Sequence, residues 1–121
     1  MEETLFEPNG TPVAYLAYDD ENTVYLWNGQ PVAYLANDHL LYGFNGVHLG
    51  WYENGIIWDL NGYRVGFNAK TLLCYAKYEP YKLYKTYKPY KAYQSYAKYK
   101  PYYKTSKSDI TLRQFLHSGS K

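Results

Sequence analysis

"NGQPVAYLAND" (residues 28–38) follows "NGTPVAYLAYD" (residues 9–19) almost letter for letter, and this repetition decides the fold. Two further stretches obey the same rule. Aligned on Asn-Gly, the four are "FEPNGTPVAY" (6–15), "YLWNGQPVAY" (25–34), "YGFNGVHLGW" (42–51) and "WDLNGYRVGF" (58–67). Each has an aromatic residue three before Asn and Val or Leu three after Gly. Ala or Gly comes next, and then another aromatic residue. Asn-Gly between apolar runs is a strong hairpin signal, because a type I′ turn needs positive φ at both central positions. The spacing predicts four hairpins and eight short strands, with Gly10, Gly29, Gly46 and Gly62 as the turn glycines.

Strict alternation away from such turns assigns the faces. One face collects Phe6, Val13, Tyr15, Tyr25, Trp27, Val32, Tyr34, Tyr42, Phe44, Leu49, Trp51, Trp58, Leu60, Val65 and Phe67, and is expected to be the core, with Phe6, Trp27, Phe44, Trp51, Trp58 and Phe67 as its principal aromatics. The other face holds Pro12, Ala14, Pro31, Ala33, His48, Gly50, Arg64 and Gly66 and reads as narrow and bare; there Asp59 faces Arg64 as a cross-strand ion pair. One hairpin is marginal alone, so four similar ones must bury their apolar faces together. Closure also removes exposed edges. The expected class is all-β, a shallow pseudo-four-fold barrel of four Asn-Gly hairpins, with an open meander as the alternative.

Composition divides the chain near residue 70. Residues 1–69 carry one cation, Arg64, against nine carboxylates, including the acidic connection Asp19, Asp20 and Glu21; residues 70–107 carry ten lysines against Glu79 alone. The expected units are a barrel over 1–70, a Tyr/Lys-rich tail over 71–107 and a short segment over 108–121. From Tyr75 to Tyr102 a tyrosine occupies every third position, ten in all. A strand has period two, and an α-helix would meet Pro80, Pro89 and Pro101. Polyproline II has a three-residue turn, and at ~3.1 Å per residue the row would run roughly 80 Å. Compactness scaling makes a 70-residue domain only about 30 Å across. The tail therefore either projects, as a low-complexity segment, or folds back round the acidic barrel. In "SDITLRQFLHSGSK" (108–121), Thr111 and Gln114 form a capping-box pattern, with Leu112, Phe115 and Leu116 on one side of a short helix that needs a surface to dock on. The barrel rim offers one.

The units "NGxPVAYL", "YGFNGxHLGW" and "DLNGYRVGF" resemble the bacterial four-fold beta-flower family over about residues 5–70. The resemblance implies a shallow barrel ringed by hairpins, similar in outline to Tubby-like C-terminal domains, and implies no defined activity.

Catalytic and metal-binding patterns are not evident. His39, His48 and His117 lack ligand spacing, Cys74 is the single cysteine, and there is no phosphate loop or nucleophile elbow. A site assembled from His48, Arg64 and Asp59 in the barrel mouth is the one catalytic arrangement considered, and the expectation is a non-enzymatic module without cofactor. "MEETLFEPNG" lacks the basic start and apolar core of a secretory signal, and no apolar run reaches a membrane span, so a cytoplasmic setting is expected. The candidate partner is an anionic polymer or anionic membrane surface, engaged through Tyr81, Lys82, Tyr84, Lys85, Tyr87, Lys88, Tyr90 and Lys91. Docking of these residues on the chain's own barrel, or a role as a spacer in a protein-interaction domain, are the alternatives.

Overall fold

A computed structural model describes residues 2–19 and 21–120. Asp20 of the acidic connection lies outside the described residues. The eight strands are β1 (Glu2–Phe6), β2 (Pro12–Ala17), β3 (Thr23–Leu26), β4 (Pro31–Leu35), β5 (Leu40–Gly43), β6 (His48–Glu53), β7 (Ile56–Asp59) and β8 (Arg64–Phe67); a helix, α1 (Leu112–His117), follows far along the chain. Every strand pairs antiparallel with its neighbours in sequence. Phe6 of β1 pairs with Phe67 of β8 and closes the barrel.

The four aligned turns are not type I′. In the first, the Glu7 carbonyl accepts the Gly10 N–H at 2.9 Å and the Glu7 N–H donates to the Thr11 carbonyl at 2.9 Å; the same pair of bonds recurs around Leu26, Gly43 and Asp59. Only the glycine is left-handed, with φ of 90° at Gly10, 92° at Gly29, 87° at Gly46 and 86° at Gly62. This is the longer hairpin loop, a tight turn followed by one left-handed residue. Asn is favoured there because its side chain accepts an amide two residues on, at Thr11, Gln30 and Val47. The two-residue type I′ hairpin exists elsewhere. Asn54 (φ 56°) and Gly55 (φ 78°) join β6 to β7, with Glu53 paired to Ile56.

A bulge then exchanges the two faces. Leu5 pairs with Ala14 but Phe6 pairs with Pro12, so Val13 is an extra residue in β2; Val32, Leu49 and Val65 are extra in the same way. An extra residue breaks strict alternation. Val13 and Ala14 both belong to the main core, with Leu5, Leu16, Val24 and Leu41, whereas Tyr15, Tyr25 and Trp27 form a separate buried cluster and Tyr34, Tyr42 and Phe44 another. Ala14 and Ala33 of the face read as bare line the barrel interior together with Val13, Val32, Leu49 and Val65, whereas the aromatic residues of the face read as core form an outer layer, as do His48 and Arg64, which reach the residues outside it. Phe6, Trp27, Phe44, Trp51, Trp58 and Phe67 are all buried.

The bulge also moves Arg64 opposite Trp58, so the expected Asp59–Arg64 ion pair is not formed. Asp59 accepts the Asn61 and Tyr63 amides of its own turn instead.

The small interior positions make room for α1. This helix packs against β4 and β8, four strands apart round the barrel, and so lies across the barrel mouth, with Leu112, Phe115 and Leu116 turned inward and Arg113, Gln114 and His117 exposed. Leu112, Phe115 and Leu116 join the main core with at most 3 % exposure. A Cβ on Gly66 would lie 3.0 Å from Leu112, one on Gly50 3.2 Å from Phe115, and one on Gly43 2.2 Å from the Gly119 Cα. Thr111 and Gln114 form both bonds of the capping box, which starts so short a helix cleanly. The barrel strands and α1 thus share one core. Replacing Leu116 with Ala is expected to cost about 2–5 kcal/mol in denaturant unfolding of the full chain. Leu73→Ala, at an exposed position, should stay within about 0.5 kcal/mol. Equal stability of the two variants would contradict a helix whose apolar face completes the core.

Candidate functional site

Residues 74–107 form a belt around the barrel, in a register set by the hairpins. The Lys77 amide donates to the Gly10 carbonyl at 2.9 Å, Thr86 to Gly29 at 2.9 Å, Ser95 to Gly46 at 2.8 Å and Lys104 to Gly62 at 2.9 Å. The donors fall at every ninth residue, three tyrosine steps per hairpin. Leu83 and Ala92, also nine apart, donate to the Trp27 and Phe44 carbonyls at 2.9 Å each. The turn glycines are needed twice over: for their positive φ, and because a Cβ there would strike the belt backbone, 2.5 Å from the Tyr75 carbonyl oxygen at Gly10 and 1.9 Å from that of Tyr84 at Gly29.

The belt's inward side is cationic and meets the aromatic layer and its carboxylate fringe. Lys82 and Lys85 pair with Glu2, Lys88 with Asp19 (3.0 Å) and Glu21 (3.1 Å), Lys91 with Glu21 (2.8 Å) and Lys100 with Glu53 (2.7 Å). The ammonium groups also lie over rings, Lys82 4.6 Å from the Tyr15 centroid, Lys85 5.2 Å from Tyr25 and Lys91 4.0 Å from Tyr34. Hydrogen bonds from these lysines hold the Glu2, Glu21 and Glu53 carboxyls below the usual range. Tyr103 departs from the ladder: it stacks on Trp58 at 4.0 Å between centroids and donates to Glu53 at 2.9 Å.

The outward side is tyrosine. Tyr75, Tyr78, Tyr81, Tyr84, Tyr87, Tyr90, Tyr93, Tyr96, Tyr99 and Tyr102 are all at least 92 % exposed. A three-residue turn explains this, since it puts every third side chain on one side of the strand. The residues expected to act together on a polyanion are therefore divided. Lys82, Lys85, Lys88 and Lys91 face the barrel, while Tyr81, Tyr84, Tyr87 and Tyr90 face solvent.

The profile of a family described as "4-fold beta flower protein" matches residues 3–116, taking in the barrel, the belt and most of α1. The chain belongs to that family. No curated protein and no solved structure matches this beta flower.

The three residues considered as a catalytic group in the beta flower all hold the belt or its continuation. His48 is buried, and its Nδ1 accepts the Lys98 amide at 3.0 Å, which places the proton on Nε2, donating to the Gly50 carbonyl at 2.9 Å. Arg64 donates its amide to Ser106 and its Nε to the Lys104 carbonyl, and accepts the Ser108 amide. Asp59 accepts the Ser108 hydroxyl at 2.7 Å. Pro12, Pro31, His48 and Arg64 share one slot of the four aligned units, and its polar members anchor the belt, which the sequence does not reveal. Cys74 is exposed. Among the described residues no group of three or more His, Cys, Asp or Glu is placed to hold a metal, and no helix is long and apolar enough to cross a membrane.

A cavity of about 730 Å³ opens between belt and barrel, lined by Leu35, Asp38, His39, Trp51, Ala97 and Lys100 among others. Its origin lies in the nine-residue register. Ala97 stands nine residues after Lys88, and Asp38 matches Asp19 in the nineteen-residue repeat, so the Lys88–Asp19 contact has no counterpart there. Gln94 also stands where Lys85 does in the preceding quarter, so this stretch is held by hydrogen bonds, among them those of Ser95 to Gly46 and of Lys98 to His48, rather than by ion pairs.

Burial pushes the His48 imidazole below its ordinary value of 6.5. The unfolded chain then holds the proton over a range where the folded chain does not, so stability falls as pH drops from 6.5 towards the folded value and levels off below it. Protonation also removes the acceptor for Lys98. Acidification from pH 7 to 5 is expected to expose residues 93–100 to limited proteolysis before the rest of the belt, and His48→Gln should flatten that dependence. Cleavage that is uniform along the belt at both pH values would contradict it.

Proposed function

We propose that this beta flower is a non-enzymatic interaction module that binds a protein partner through its tyrosine belt, with the barrel as the spool that holds the belt straight-sided and rigid. The observation that carries this reading is the division of the belt: ten tyrosines fully outward, lysines largely turned inward. Tyrosine supplies a large amphipathic contact surface at the entropic cost of only two side-chain torsions, and for that reason dominates binding loops and interface cores. A row of exposed rings on an anchored backbone has already lost most of the freedom that binding would remove. The polyanion alternative draws less support, because Lys82, Lys85, Lys88, Lys91 and Lys100 are neutralised by Glu2, Asp19, Glu21 and Glu53. The single exposed thiol of Cys74 is compatible with a reducing, cytoplasmic setting.

Selection of displayed random peptides on the immobilised full-length protein tests the reading. The selected peptides are expected to lose at least about tenfold in affinity for a Tyr81→Ser, Tyr84→Ser, Tyr87→Ser variant whose circular dichroism is unchanged, a loss of about 1.4 kcal/mol. Raising salt from 50 to 200 mM should change the affinity by less than that. Binders indifferent to the three substitutions would overturn the proposal. A loss on the order of 10³ with salt, seen for single-stranded nucleic acid or anionic vesicles, would favour the polyanion reading instead.

A further inference from the structure

The cavity between belt and barrel lies where the preceding quarter of the belt supplies lysines of its own. Lys88 stands two residues after the Thr86–Gly29 anchor and reaches Asp19 at 3.0 Å. Ala97 stands two residues after the Ser95–Gly46 anchor, and Asp38, like Asp19, comes nine residues beyond its turn glycine. Ala97 and Asp38 both line the cavity, so a methyl group stands where the preceding quarter has an ammonium.

A second lysine is also drawn away. Lys82 and Lys91 each stand four residues before an anchor, and their ammonium groups lie 4.6 Å from the Tyr15 centroid and 4.0 Å from that of Tyr34, the aromatic residues that end the first two aligned units. The third unit ends on Trp51, and the lysine in step with it is Lys100. Lys100 turns instead to Glu53 at 2.7 Å and lies 4.9 Å from the Tyr103 centroid. Among the described residues no ammonium therefore lies over Trp51, which forms part of the cavity wall, and none pairs with Asp38.

The geometry points to a binding site for an alkylammonium group from outside the chain, a lysine side chain or a free diamine, with its ammonium at Asp38 and its stem along Leu35, Trp51 and Ala97. A cation beside a carboxylate and against an aromatic ring is how the protein seats its own lysines in the neighbouring quarters, and an alkyl stem suits the apolar part of the wall. The cavity of about 730 Å³ has the size of a small-ligand site, and Asp38, His39, Ala97 and Lys98 are exposed, so it is open to solvent. Lys98 and Lys100 also line it. They do not exclude a further ammonium, because Lys85, Lys88 and Lys91 crowd Glu2, Asp19 and Glu21 in the preceding quarter at three-residue spacing. His39 is the remaining titratable residue of the wall, so binding is measured above the pH range in which histidine carries charge. The site stands apart from the tyrosine row and does not depend on what that row binds.

Residue-resolved NMR titration of the full-length protein with Nα-acetyl-lysine amide, its uncharged norleucine analogue and cadaverine tests the assignment. Lysine amide is expected to shift the Asp38, His39, Ala97 and Lys98 amide signals saturably in the millimolar range, as suits one half-exposed ammonium contact, and the norleucine analogue should bind at least about tenfold more weakly. Asp38→Asn should lose a similar factor while keeping the fold, since Asn also tolerates the left-handed φ of 60° found there. Ala97→Lys returns the lysine of the preceding quarter and should abolish the shifts while the barrel signals stay in place. Shifts from cadaverine but not from lysine amide support the site and assign it to free diamines rather than to lysine side chains. Equal binding of the lysine and norleucine amides, undiminished binding to the Ala97→Lys variant, or no saturable shift with either amine overturns the inference.

Discussion

Each turn glycine carbonyl accepts one belt amide, and these four hydrogen bonds at nine-residue intervals tie the two halves of the chain into one object. They work because two unrelated periods meet. A hairpin and its connection take up about a quarter of the barrel's circumference, and nine residues of a three-residue helix cover the arc outside it. A belt with eight or ten residues per hairpin would rotate its lysines away from the barrel by the second turn. The register therefore decides which side chains face inward, and so decides that tyrosine faces out.

The aromatic layer under the belt explains how such a composition stays ordered. A lysine-rich, proline-interrupted segment ordinarily lacks the apolar surface to offset its conformational entropy. Here the barrel contributes that surface. The bulge in every second strand turns Tyr15, Tyr34, Trp51 and Phe67 outward while Val or Leu and the small residue beside it fill the interior beneath α1. Lysine stems lie across the rings with their ammonium groups at the carboxylate fringe, which suits a side chain with an apolar stem and a charged head. Individually such exposed ion pairs contribute little; their value here is in number and in fixed order along the strand.

Much of this was legible in the sequence and some was not, for physical reasons. The four aligned units, the closed pseudo-four-fold barrel and the capped C-terminal helix follow from patterns that local chemistry fixes. Alternation counted from a two-residue turn puts the aromatic rings inside and the small residues outside, the reverse of their places in the barrel. A longer loop closed by one left-handed glycine, followed by a bulge at Val13 and its counterparts, displaces the count, and neither leaves a mark that Asn-Gly alone reveals. The seating of α1 in the barrel mouth depends on contacts between residues more than forty apart, such as Gly66 with Leu112 and Gly43 with Gly119, where small residues were the only signal. For the belt, the period of three was plain. Its ninefold grouping was visible as Leu83 and Ala92 among the tyrosines and lysines, but only the hairpin positions give that grouping a meaning.

The account's central claim is that the belt is anchored hairpin by hairpin, and residue-resolved amide hydrogen exchange of the full-length protein tests it most directly. The Lys77, Thr86, Ser95 and Lys104 amides should be protected well above their neighbours Tyr78, Tyr87, Tyr96 and Thr105, giving slow exchange that recurs at every ninth residue. Uniformly fast exchange from residue 74 to 107 would contradict it, and with it the inward lysines and the outward row of tyrosines.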